Sequence, residues 1–69
     1  RGETVAPLTQ RELDVLRLAA AGRSNRQIAT DLYLALGTVK SHLHAIAGKL
    51  GAANRVEAVA IARQSGLLP

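Results

Sequence analysis

Three times in 69 residues a Ser, Thr or Asn stands three positions ahead of a Glu or Gln. The stretches are "TQRE" from Thr9 to Glu12, "SNRQ" from Ser24 to Gln27, and "NRVE" from Asn54 to Glu57. In such a stretch the first side chain accepts a bond from an orphan amide of a helix's first turn, and the later one reaches back to the cap residue's own amide. The pattern marks helix starts. Leu8 and Leu13 occupy the staple positions around the first of them. Gly22 and Gly51 supply stops, because a left-handed cap is easiest without a Cβ. No stretch alternates apolar and polar residues as a half-buried strand would. The predicted class is all-α, a compact four-helix domain.

The first helix is expected to run to about Ala21, with Leu13, Leu16 and Ala20 inward, widened by Val15, Leu18 and Ala19. The second starts after Ser24 and turns Ile28, Ala29 and Leu32 inward, with Asp31 and Tyr33 near its end. "YLALG" (33–37) is a short turn into a third helix that starts between Leu36 and Thr38 and ends near Leu50. A fourth starts after Asn54 and fades at "SGLLP" (65–69). Residues 1–7, "RGETVAP", lack periodicity and read as a linker or disordered lead-in to a domain over 8–69. The chain opens on Arg1 rather than a methionine, which reads as a piece of a longer protein.

A chain this short buries only about 60% of its unfolded surface and is marginally stable. With no cysteine it has neither disulfides nor thiolate zinc sites. No apolar run approaches the roughly 18 residues of a membrane span, so no membrane association is expected, and a cytoplasmic location is. Nine basic against five acidic residues give a net charge of +4, which favours a polyanionic partner.

The third helix has an unusual outward face. At about 100° per residue, Val39, Leu43, Ile46 and Leu50 form one stripe. Opposite lie Gly37, Ser41, His44, Ala45 and Gly48, with Lys40 on one shoulder and His42 and Lys49 on the other. No acid occurs between Leu32 and Ala53. Two glycines in a helix cost roughly 1 kcal/mol each relative to alanine, so close approach to another surface is expected to compensate. A DNA major groove about 12 Å wide admits such a helix, lysines meeting phosphates while Ser and His reach base edges. The plainer alternative is a solvated face depleted of acids by chance. His42 and His44 are two apart, about 200° around the helix, and cannot chelate one metal from it. No acid lies near either in sequence, so neither a metal site nor a catalytic site is expected, and no cofactor.

"LTQRELDVLRLAAAGRSNRQIA", then "TVKSH" and "KLG", then "NRVEAV" together resemble the LuxR-type (GerE-like) helix-turn-helix domain of bacterial transcription regulators. The resemblance covers residues 8 to about 68. It implies a sequence-specific domain for double-stranded DNA at the C-terminus of a regulator, with a helix-turn-helix over about 24–43 and the third helix in the major groove. Thr38, Val39, Lys40 and His42 match its "TVKxH" signature; Lys40 would contact the DNA backbone or a base, and Val39 would face the core or else a thymine methyl. Ser41 and His44 fall on its variable groove-facing positions. Asn25 and Arg26 at the start of the second helix, Lys49 in "KLG", and Arg55 at the start of the fourth would lie near phosphates. The sequence departs from the family at Ala35, Leu36 and Gly37, where the third helix commonly has a Ser or Thr cap. Such a loss costs about 1 kcal/mol.

The fourth helix is apolar on most sides, as helices buried on more than one side are. By the resemblance Ala58, Val59 and Ala62 are core positions, which leaves Val56, Ala60 and Ile61, with Arg63, for a homodimer contact, weak in the isolated domain. RNA polymerase is the other candidate partner. The competing class is a helical protein-interaction module that never touches DNA, but such a module gains nothing from an acid-free third helix. An enzyme is not expected, since no nucleophile and base converge.

Overall fold

A computed structural model describes residues 7–69, so all but Pro7 of the expected lead-in lies outside them. Four helices follow one another, α1 Gln10–Ala20, α2 Asn25–Leu32, α3 Leu36–Leu50 and α4 Arg55–Gln64, with no strand among the described residues. The first two starts are complete capping boxes. Thr9 Oγ1 accepts from the Glu12 amide at 3.1 Å, and Glu12 Oε1 accepts from the Thr9 amide at 2.9 Å. Ser24 and Gln27 repeat the exchange at 3.1 and 2.9 Å. At α4 only half of it forms. Asn54 Oδ1 accepts from the Glu57 amide at 2.9 Å, while the Glu57 carboxylate takes the Ala53 amide instead.

α3 starts at Leu36 without a side-chain cap. Its N-cap residue Ala35 has φ −70° and ψ 150°, close to the −73° and 164° of Thr9, which does cap. A hydroxyl at this position therefore has the backbone it needs. Ala35→Ser should raise the unfolding free energy by about 1 kcal/mol, read as a higher urea midpoint at unchanged slope. An unmoved midpoint would show that the α3 amides are already satisfied elsewhere.

The core gathers Val15, Leu16 and Ala19 of α1, Ile28 and Ala29 of α2, Val39, Ile46 and Leu50 of α3, and Ala58 and Ala62 of α4. α1 and α3 each pack against the other three helices, whereas α2 and α4 do not pack against each other. One side of α3 is thus walled in by three neighbours and the other is left free. Two expectations need correction. The buried stripe of α1 runs Glu12, Val15, Leu16, Ala19, and Leu13 is half-exposed outside the core cluster. The stripe leads with a carboxylate, which apolar periodicity skips. Nor does the chain simply fade after α4: with Gly66 at φ 80°, the amides of Leu67 and Leu68 both bond back to the Ala62 carbonyl. Leu68 is thereby buried in the core.

Candidate nucleic-acid interface

The free side of α3 is built by the stripe that buries the other. Val39, Ile46 and Leu50 point into the core, so Gly37, Ser41, His44 and Gly48, at spacings of four, three and four, must point out. All four are exposed, as are Thr38 and Lys40. Neither glycine is there for internal packing: a Cβ added to Gly37 or Gly48 would meet nothing within 4 Å. His42 and Ala45 are half-buried at one edge. Lys40 and, at the start of α2, Arg26 are exposed and belong to no ion pair among the described residues.

Val39 is fully buried, so it leaves the set of surface candidates. Its stripe position inserts the side chain between α3 and its neighbours. Lys49 also needs correction. Its Nζ donates to Glu12 Oε1 of α1 at 2.7 Å, with the carboxylate buried and the lysine half-buried. The ammonium is neutralised within the fold and is not a free shoulder cation. His42, seven positions earlier, shares that α1-facing side.

Asn25 and Arg55 are brought together, but first of all with each other. Arg55 Nη1 donates to Asn25 Oδ1 at 2.6 Å, and Nη2 donates to the Arg23 carbonyl. The guanidinium straps the start of α4 to the start of α2, two helices that otherwise do not pack. Among the described residues these two bonds use two of its five N–H donors. Arg23 also grips Asp31 with two bonds, at 2.8 and 2.9 Å, which straps the last turn of α2 to the residue before its cap. The hydrogen bonds from Arg23 hold the Asp31 carboxyl below its ordinary value. That acid charge is thus matched before anything approaches.

Glu12, expected as the capping partner of Thr9, is also the buried partner of Lys49, a role the sequence does not show. Burial pushes its carboxyl up, but the bonds from Lys49 and the Thr9 amide outweigh this and hold it below the usual 4.5. A lowered native value stabilises the fold fully where the unfolded carboxyl is also ionised, and by less as pH falls from there to the native value. Glu12→Gln should therefore be less stable than the parent at pH 7. The gap should persist down to about the unfolded carboxylate value of 4.5 and close as pH falls through the lower native value. A gap constant from pH 7 to 2 in thermal unfolding would remove the ion pair as its cause.

Against this geometry stand the likenesses to known proteins. Residues 6–62 match the family described as bacterial regulatory proteins, luxR family (GerE). The chain is 48% identical over 60 residues to the transcriptional regulatory protein YvfU of Bacillus subtilis (strain 168), covering 87% of this chain and 30% of that protein. It is 51% identical over 59 residues to the HTH-type transcriptional regulator MalT of Serratia proteamaculans (strain 568), covering 86% of this chain and 6% of that one. The chain thus spans less than a third of either relative. Among solved structures, the response regulator ChrA of a heme-sensing two-component system superposes with a TM-score of 0.88 at 40% identity, covering 97% of this chain and 33% of that one. The transcription factor GerE superposes at 0.86 and 29% identity, over 90% of this chain and 92% of its own.

Proposed function

The chain belongs to the luxR family of bacterial regulatory proteins, a family of DNA-binding regulators rather than enzymes, and from that premise we propose that it reads double-stranded DNA by laying α3 in the major groove. The observation that carries the reading is the free side of α3, where small and hydrogen-bonding residues (Gly37, Ser41, His44, Gly48) stand exposed with no acid among them. An α-helix with its side chains is about 10–12 Å across, close to the groove's own width, so small residues allow depth. Ser41 and His44 then face base edges. Thr38, Lys40 and Arg26 meet phosphates, and Asn25 and Arg55 hold the start of α2 against the backbone, where helix amides favour an anion. In this reading the domain is the output end of a longer cytoplasmic regulator. No described helix is long and apolar enough to cross a membrane. Selection of bound sequences from a random duplex pool tests the proposal: one enriched motif is expected, and a pool still random after several rounds would sink it.

The same reading gives α4 a role in pairing two copies. A shallow groove between α1 and α4 is lined by Ala19, Ala20, Val56, Val59, Ala60 and Arg63. Val56 is 78% exposed, while Ile61 is half-buried against the core and contributes less. The contact area available on one ten-residue helix suits a weak dimer that DNA or the rest of the protein reinforces. RNA polymerase remains a partner of the longer regulator under this proposal. Val56→Asp should abolish self-association measured by sedimentation while leaving the helical spectrum intact, since a carboxylate desolvated against its twin is strongly unfavourable. Unchanged association would place the interface on another face.

A further inference from the structure

Four residues among those described have positive φ, and three of them are glycines: Gly22, Gly51 and Gly66. The fourth is Tyr33, at φ 57° and ψ 43°, closing α2 and opening the turn into α3. A non-glycine residue is disfavoured here because its Cβ crowds the neighbouring carbonyl. The backbone task at the site needs no side chain. The Tyr33 amide bonds to Ala29 and Thr30 carbonyls, the Leu34 amide returns to Ala29 at 2.9 Å, and Leu34 packs on the core. A glycine would serve that task better. Nor does the ring serve the fold by packing, for the residue is 96% exposed. It is the chain's single aromatic residue.

The position of this residue gives it a use. Three residues separate the end of α2 from the start of α3, and the exposed Thr38, Lys40 and Ser41 follow within two turns. A tyrosine 96% exposed on that turn leaves its hydroxyl in solvent, open to an acceptor outside the fold. We propose that Tyr33 is a positioning residue for DNA, its hydroxyl donating to a phosphate oxygen at the rim of the groove that α3 enters. Tyrosine is a regular donor to phosphate, and a contact of this kind fixes register without reading sequence. The inference rests on the DNA-binding reading of α3. It adds a contact that is neutral, so it carries no counterion release, and this separates it from every lysine and arginine contact.

The test uses the 69-residue chain, a duplex selected from a random pool, and a scrambled duplex, each at two salt concentrations. Tyr33→Phe keeps the ring and the backbone. It should leave the unfolding temperature unchanged and weaken binding to both duplexes by the same factor, about tenfold for one hydrogen bond to a charged acceptor. The slope of affinity against salt should not change. Tyr33→Gly should weaken binding at least as much while raising the unfolding temperature, an opposition that a merely structural residue would not produce. Parent-like affinity of both variants would overturn the inference, as would a loss confined to the selected duplex, which would mean base reading. Parent-like DNA affinity with altered self-association would assign the ring to a protein partner instead. If the parent chain itself bound neither duplex, the reading of α3 would fail, a result distinct from Tyr33 variants that bind as the parent does.

Discussion

Ile46→Ala should cost this domain about 2–5 kcal/mol, the range found when a buried aliphatic side chain is cut back to a methyl. Ile46 is fully buried at the middle of α3, the helix against which α1, α2 and α4 all pack. The neighbours cannot easily collapse into the gap, because shifting one of them disturbs its contact with the others. A natural chain of this size holds only roughly 3–10 kcal/mol in total. The variant should therefore melt far below the parent or be partly unfolded at 25 °C, which thermal unfolding by circular dichroism would show. A loss below about 1 kcal/mol would mean that the core re-packs around the deletion. Gly48→Ala on the opposite side of the same helix should move the other way. Its new Cβ meets nothing within 4 Å, so the substitution keeps only the gain in helix propensity, about 1 kcal/mol.

That contrast between two faces of one helix was legible in the sequence, because periodicity is local. So were the caps at Thr9 and Ser24, whose partners stand three residues away. What could not be read were bonds closed by the fold itself. Glu12 and Lys49 are 37 positions apart, and Asn25 and Arg55 are 30 apart. Composition shows four charged or polar groups in those pairs but nothing of who meets whom, so Lys49 and Arg55 read as spare cations. The misplaced α1 stripe has the same origin: Glu12 looks like a surface residue until Lys49 supplies the charge that lets it be buried. Leu68 was lost for a different reason. Two leucines after a Ser-Gly stop carry no periodicity, and only the turn at Gly66 sends one of them into the core.

Replacing Ser41 or His44 with Ala should change which duplex the chain prefers, whereas replacing Lys40 or Arg26 should weaken its grip on every duplex alike. The two pairs differ in where they point. Ser41 and His44 lie along the middle of the exposed face of α3, opposite the core stripe, where base edges would be. A lost base-edge contact is worth about 1–3 kcal/mol at one base pair, which is about 5–150-fold in discrimination between a selected and a scrambled duplex. Lys40 at the shoulder and Arg26 on α2 present cations that form no ion pair among the described residues, so each should take about 1 from the magnitude of the salt slope. Lys49 makes the discriminating control. Its ammonium already faces the buried Glu12 carboxylate at 2.7 Å, so Lys49→Ala should leave the salt slope nearly intact and lower stability instead, by stranding that carboxylate. The measurement is the affinity of each variant for both duplexes at two salt concentrations, with its thermal unfolding alongside. Equal losses on both duplexes for Ser41→Ala and His44→Ala would mean that α3 binds by charge alone. A salt slope lowered by Lys49→Ala as much as by Lys40→Ala would mean that the Glu12 pair opens when DNA arrives.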